Sequence, residues 1–280
     1  MRIAFQGEPG AYSEAAALEH FGAAAVTVPY ETFDAVFAAV ESGACEAGLV
    51  PIENSVAGSI HRNYDLLLQH SLPIVGERYL RVKHCLIAHP GVALAEIRQI
   101  LSHPQGLAQC ERYLRSLPHV KVEAAYDTAG SVKMIKEQGD RSVAAIASRR
   151  AAEVYGMAIL AEGVEDDPAN FTRFLAVAPQ PVTPGSDAKT SIVFTLNNIP
   201  GALFKALSVF ALRDLDLTKI ESRPLVGRPW DYFFYIDFAG STDDPTVTRA
   251  LSHLGEYALT LRVLGSYPRH RLEPHAAIDA

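Results

Sequence analysis

Across the first 178 residues, short apolar runs alternate with longer segments of helical period, the βαβα pattern of an α/β layer structure. Residues 3–5 and 47–52 read as strands. Between them Phe33, Val36, Phe37 and Val40 recur at spacings of three and four, Thr32 can cap the start of the helix they define, and Gly43 can end it in a left-handed conformation. Further on, 72–75 and 82–88 are expected to be extended, 93–101 and 105–117 helical, and 120–125 and 143–147 strands. Helices are expected at 129–138 and 148–155, and a last strand at 171–177. The pattern implies two α/β lobes with a cleft between them.

The stretch APQPVTPGS, which begins at Ala178, holds three prolines and a glycine and has almost no apolar periodicity. It marks a connector at 179–187, separating a first domain, 1–178, from a second, 188–267. In the second domain, strands are expected at 190–196, 217–224, 232–238 and 259–267, with helices at 202–212 and 245–254. The order βαββαβ in about 80 residues is the α+β ferredoxin-like arrangement. Residues 268–280 are polar and aperiodic and are expected to form a loose tail.

Composition narrows the function classes. The chain has 280 residues, 49% of them hydrophobic and 20% charged, with a formal net charge of −7. That charge argues against a nucleic-acid partner, which calls for a basic stripe. No stretch approaches bilayer-spanning length, and the first residues lack the apolar run of a signal peptide, so no membrane partner is expected. Cys45, Cys85 and Cys110 are dispersed without paired spacing, which suits neither a disulfide framework nor a thiolate metal site. These features together predict a cytoplasmic protein.

Four polar segments interrupt the pattern. GEPGAYS, 7–13, runs from a strand into a helix, where unpaired N–H groups attract anions; the same residues can also form a plain tight turn. PIENSVAGSI, 51–60, lies at the carboxyl end of a strand, where open α/β sheets bind ligands, and its Asn54 and Ser55 offer donors and acceptors. In SHPQGLAQC, 102–110, Pro104 suits a first helical turn capped by Ser102 or His103, and Gln105 and Gln109 share one helix face. NFTRF, 170–174, opens the last strand: alternation sends Thr172 and Phe174 to one face and Arg173 to the other, unless a bend brings both polar groups into the cleft. His84 and His89 flank an apolar strand and read as structural strand-end residues. HExxH, GxSxG and DxDxDG are all missing, so metal hydrolase, serine hydrolase and calcium-site readings have no support.

Taken in order, GEPGAYSEAA, VPIENSVAGSI, SHPQGLAQC, AAIASRRAAEVYG and NFTRF resemble the successive signatures of the prephenate dehydratase family across residues 1–178. IPGAL, 199–203, and ESRP, 221–224, resemble the two phenylalanine-binding motifs of the ACT domains joined to that family. The resemblance implies a catalytic domain similar to the type 2 periplasmic binding fold, with substrate in the interlobe cleft. Thr172 is similar to the family's catalytic threonine, and Asn54, Ser102, Gln105 and Gln109 match polar cleft positions. Gly106 stands where an alanine is commoner, and the turn DTAGS, 127–131, follows the family pattern loosely.

The implied activity is a carbon–oxygen lyase reaction, the decarboxylative dehydration of prephenate to phenylpyruvate in phenylalanine biosynthesis, with no metal or organic cofactor. Ser55, Arg173 and Phe174 join the substrate-binding candidates, Arg173 as a bidentate carboxylate clamp. Gly201, Ala202, Leu203, Glu221, Ser222 and Arg223 are the candidates for holding L-phenylalanine as an inhibitor. A homodimer, or a tetramer made of two dimers, is the implied assembly. Arogenate dehydration and a non-catalytic amino-acid sensor are the alternatives.

Overall fold

The computed structural model describes residues 1–272 apart from Val226 and Pro229. It divides into two compact units, the first holding residues 1–69 and 78–175 and the second 70–77 and 176–270.

One lobe of the first unit opens with β1 (Arg2–Gln6), α1 (Tyr12–Phe21), β2 (Val26–Tyr30), α2 (Phe33–Glu41), β3 (Ala47–Asn54), β4 (Gly58–Ser59), α3 (His61–Gln69) and β5 (Ile74–Arg81). The other lobe follows with β6 (Cys85–Ala88), β7 (Gln99–Ser102), α4 (Pro104–Ala108), α5 (Glu111–Arg115), β8 (Lys121–Ala124), α6 (Thr128–Gln138), β9 (Val143–Ala147), α7 (Arg149–Tyr155) and β10 (Ala158–Glu162). The chain then returns to the first sheet as β11 (Phe171–Val177). The first sheet runs β2-β1-β3-β11-β5, with β4 paired to β3; the second runs β10-β6-β9-β7-β8.

Burial explains these elements. β3 is buried at nearly every position because helices cover both of its faces, so its apolar run is continuous rather than alternating. In α2 the Thr32 hydroxyl accepts the Ala35 N–H at 3.2 Å, a cap worth about 1 kcal/mol, and Val36, Phe37 and Val40 are fully buried. In the second lobe successive residues of β9 face opposite sides. Ala145 and Ala147 meet Val132 and Ile135 of α6 and Ala151 of α7, whereas Ala144 and Ile146 meet Ile100 and Cys110.

Three expectations fail here for physical reasons. Residues 93–101 hold a 3₁₀ turn, Leu94–Glu96, and then β7, not a helix. Ile97, Ile100 and Leu101 mimic helical spacing because a strand buried on both faces has no period of its own. The helix expected over 105–117 breaks at Cys110, whose φ of −122° and ψ of 26° leave α4 and α5 as separate pieces. The extended segments expected at 72–75 and 82–88 are instead β5 and β6, with 82–84 between them.

In the second unit, β12 (Ala188–Leu196), α8 (Ala202–Ala211), β13 (Leu217–Pro224), β14 (Tyr232–Ala239), α9 (Pro245–Tyr257) and β15 (Ala258–Pro268) form the βαββαβ order, with an antiparallel sheet β13-β14-β12-β15. Val209 and Phe210 of α8 and Val247 and Leu254 of α9 share one core with Ile192, Phe194, Ile236 and Phe238. Residues 70–77 belong to this unit, although sequence places them in the first domain. Lys189 pairs with Glu77 at 2.7 Å, both buried, and Gly265 lies so close to the Ile74 carbonyl that a Cβ would approach its oxygen to 2.1 Å. The expected tail begins as structure: Pro268 ends β15, and the backbone N–H groups of Arg269 and His270 donate to the Asp187 carbonyl and the Glu77 carboxylate. Residues 273–280 lie outside the described residues.

Candidate active site

Between the two lobes of the first unit lies a cavity of about 170 Å³. One wall carries Tyr12, Ser13, Pro51, Asn54, Ile60, Thr172 and Phe174; the other carries His84, His103, Gln105, Gly106, Gln109 and Thr128. None of these side chains is a carboxylate, an ammonium or a guanidinium.

Thr172 sits at the second position of β11, 9% exposed, and its orientation is set by Asn54 at the end of β3. The Asn54 Oδ1 accepts the N–H groups of Val56 at 3.1 Å and Ala57 at 2.8 Å, which fixes the amide. Its Nδ2 therefore faces the other way, donating to Asn170 Oδ1 at 2.7 Å and to Thr172 Oγ1 at 3.0 Å. Because Thr172 accepts from Asn54, its own proton is left for the cleft, and no protein acceptor takes it among the described residues. Sequence named both residues; their mutual contact, 118 positions apart, had no local signal.

Facing Thr172, His84 is 1% exposed, with Nδ1 2.9 Å from the Tyr12 hydroxyl and Nε2 2.9 Å from Gln109 Oε1. Burial pushes its pKa below the ordinary histidine value, against the opposing hydrogen bond from Gln109 and the charge of Glu165. Burial also raises the Tyr12 phenol well above its usual range. Sequence read His84 as a structural strand-end residue; it does stand buried immediately before β6, and it also lines the cavity. His103 caps α4, its Nδ1 accepting the Gln105 N–H at 3.2 Å. Gln105 and Gln109 both line the cavity, as does Thr128.

Three substrate candidates fall outside the cavity lining. Ser55 donates to the Ala169 carbonyl at 2.8 Å and accepts the Phe171 N–H at 2.9 Å, so its hydroxyl stitches the turn after β3 to the start of β11. Ser102, fully buried, donates to the Ile146 carbonyl at 2.7 Å, and a Cβ at Gly106 would come within 2.8 Å of its oxygen. Arg173 follows strict strand alternation: it points away from Thr172, is 4% exposed, and its guanidinium lies 5.9 Å from the Tyr79 ring centre. No bend brings it into the cleft, so the clamp expected of it is not formed.

The glycine turn at 7–13 is a fastening between lobes. Gly10, at φ +92°, lies 2.6 Å from the Ala151 Cα when a Cβ is placed on it, and its carbonyl accepts the Ser148 hydroxyl at 2.6 Å. Nearby, burial alone would raise the Glu14 pKa, but Arg150 at 2.8 Å, the Gly10 N–H and the Thr27 hydroxyl hold its carboxyl below the usual range. The Gly10 N–H of this turn serves the Glu14 carboxylate, while Tyr12 and Ser13 at the start of α1 line the cavity. Among the described residues no three His, Cys, Asp or Glu side chains gather to hold a metal ion.

In the second unit, Gly201 adopts φ +79° ahead of α8, and Ala202 and Leu203 line a cavity of about 110 Å³ with Leu196, Ile199, Trp230 and Tyr232. Glu221, Ser222 and Arg223 lie on β13, an edge strand, and none of them lines that cavity. Glu221 instead faces Lys219 at 3.7 Å, and Ser222 is exposed on the opposite face. One chain therefore does not bring the two motifs together.

The two-lobed cleft and the βαββαβ module define an α/β enzyme of the type 2 periplasmic-binding architecture joined to a ferredoxin-like ACT domain. The family model described as prephenate dehydratase matches residues 3–182, and that of the ACT domain matches 190–256. The chain belongs to the prephenate dehydratase family and carries a C-terminal ACT domain.

"Arogenate dehydratase/prephenate dehydratase 2, chloroplastic" of Arabidopsis thaliana is 52% identical over 96% of this chain and 73% of its own length. A prephenate dehydratase of Arthrobacter aurescens in complex with L-Phe is similar in structure, with a TM-score of 0.88 at 32% identity over 99% of this chain and 95% of its own. So is GqqA, described as a novel type of quorum quenching acylase, with a TM-score of 0.89 at 38% identity over 96% of this chain and 98% of its own. The cytoplasmic expectation is overturned: three Arabidopsis thaliana relatives, the one above included, are named as chloroplastic. The lack of paired cysteines on which it rested reports a reducing environment, not a compartment.

Proposed function

We propose that the protein is a prephenate dehydratase, eliminating CO₂ and water from prephenate to leave phenylpyruvate, with Thr172 as the proton-donating group. The observation that carries this reading is the Thr172 hydroxyl, which lines the cleft, whose oxygen accepts from Asn54 and whose proton has no protein acceptor among the described residues. Hydroxide leaves poorly, so a donor to the departing oxygen is required, and a hydroxyl supplies it without bringing a charge into the site. Such assistance is worth about 100- to 10,000-fold, or roughly 3–5 kcal/mol. Gln105, Gln109 and Thr128 supply neutral groups to the two carboxylates, His103 lines the same wall, and Phe174 gives the ring an apolar wall. Leaving the ring carboxylate without a tight cationic partner avoids stabilising the group that must depart.

Prephenate is favoured over arogenate because the cavity wall offers no carboxylate for an ammonium group. The arogenate reading draws support from relatives named arogenate dehydratase alone, 50% and 48% identical to this chain. An acylase would need a nucleophile paired with a base, but Thr172 is paired with an amide, and the His84 ring nitrogens face Tyr12 and Gln109. L-phenylalanine is the proposed inhibitor, its side chain in the cavity beside Ala202 and Leu203 and its charged groups met by Glu221 and Arg223 of a second chain, in a homodimer or a dimer of dimers. The test incubates purified protein with prephenate or arogenate, with and without phenylalanine. Phenylpyruvate from prephenate, suppressed by phenylalanine, is the expected product. Phenylalanine formed from arogenate alone would reassign the substrate, and no product from either would leave the sensor reading.

A further inference from the structure

We propose that His84 is a positioning residue: its Nε2–H holds the Gln109 carbonyl oxygen, so that the Gln109 NH₂ group faces the cleft as a donor to an acceptor oxygen of the substrate. The proposal rests on the dehydratase reading for the identity of that oxygen, and on geometry alone for the arrangement.

With Gln109 Oε1, an acceptor only, 2.9 Å from His84 Nε2, this orientation of the amide requires the proton on Nε2. Nδ1 of the same neutral ring is then bare, and the Tyr12 hydroxyl at 2.9 Å is placed to donate to it. The backbone fixes the ring further, because the His84 N–H donates to Glu165 at 2.8 Å and its carbonyl accepts from Gly163 and Val164. Gln109 Nε2 has no protein partner among the described residues and belongs to the cavity wall.

The opposite tautomer is also sterically available. The Tyr12 hydroxyl lies 3.0 Å from the Lys83 carbonyl, so it could donate there and accept from a protonated Nδ1. Nε2 would then accept from Gln109, and the amide would turn its oxygen to the cleft. One proton inside the wall thus decides whether the cleft displays a donor, suited to keto and carboxylate oxygens, or an acceptor, suited to an ammonium.

The experiment has two arms on the full chain. A long-range ¹H–¹⁵N spectrum of the histidine side chains, with His84 assigned by its loss in His84→Gln, reads the tautomer directly. Steady-state kinetics on prephenate compare His84→Asn, too short to reach Gln109, with His84→Gln, whose amide N–H can replace Nε2–H. The expected results are an Nε2–H signal, a KM about tenfold higher in His84→Asn with kcat within about threefold, and recovery of most of that loss in His84→Gln. An Nδ1–H signal, an unchanged KM in His84→Asn, or an equal defect in both variants at wild-type thermal midpoint would overturn the proposal. Should His84→Asn fail to fold, the spectrum and His84→Gln decide. If the wild type turns over neither prephenate nor arogenate, the dehydratase reading fails while the spectrum still judges the tautomer.

Discussion

Asn54 shows how a residue two steps from any chemistry can decide what a hydroxyl does. With its oxygen claimed by two backbone N–H groups, Asn54 can only donate to Thr172, and Thr172 can only donate outward. Thr172→Ala is therefore expected to lower kcat by about 100- to 10,000-fold with the fold intact, and Thr172→Ser to keep most of the rate. Stopped assays for phenylpyruvate, beside thermal melts of each variant, measure this; a near wild-type rate in folded Thr172→Ala would remove the hydroxyl from the mechanism. At this scale Thr172, Asn54, Gln105 and Gln109, which the motifs singled out, all lie in the cavity lining. Ser55 and Ser102 lie outside the cavity lining because a polar residue inside a motif can serve the backbone as readily as a ligand, and Arg173 because it alternates to the other face, beside the Tyr79 ring. The place of His84 in the cavity wall was not legible because its partners, Tyr12 and Gln109, lie 72 and 25 positions away.

Elements matter here mainly through how they fasten to one another. The turn before α1 presses against the start of α7: Ser148, which caps α7 by accepting the Ala151 N–H at 3.0 Å, also donates to the Gly10 carbonyl. Any Cβ at Gly10 meets Ala151 backbone at 2.6 Å and also demands a φ that L residues rarely adopt. Gly10→Ala is expected to destabilise the first unit by about 2 kcal/mol or more through strain and overpacking, read as a lowered denaturant midpoint; an unchanged midpoint would mean the two lobes do not depend on this contact. Helices with caps and clear apolar periods, such as α2 and α6, were readable from sequence. β7 was not, because full burial on both faces erases the alternation that distinguishes a strand.

For the molecule as a whole, two buried titratable groups lower stability in acid, against Asp127, whose carboxyl is held above the usual range by burial. The folded pKa of His84 is lowered by burial, so below about pH 6.5 the unfolded chain binds a proton that the fold resists, and stability falls. The Tyr12 phenol, the Glu165 carboxylate and the Gln109 amide are the polar groups facing that ring, and of these the Gln109 hydrogen bond and the Glu165 charge oppose the shift. The folded pKa of Glu14 is also lowered, chiefly by Arg150 once the burial cost is overcome, so its contribution is present above about pH 4.3 and lost as pH falls further. Urea midpoints of wild type should fall between pH 7 and 5.5, and His84→Gln should flatten that fall. Parallel curves for the two proteins would show that residue 84 carries no such linkage.

The double hydrogen bond of Ser55 has one more consequence. By tying the turn after β3 to β11, it makes Asn54 and Thr172 parts of a single rigid piece, so the proton donor cannot be assembled or dismantled by relative motion of those strands. The amide wall of His84 and Gln109 belongs to the other lobe. The donor proposed at Thr172 would therefore be permanently cocked, and what remained for a substrate to complete would be recognition, supplied by the opposite side of the cleft.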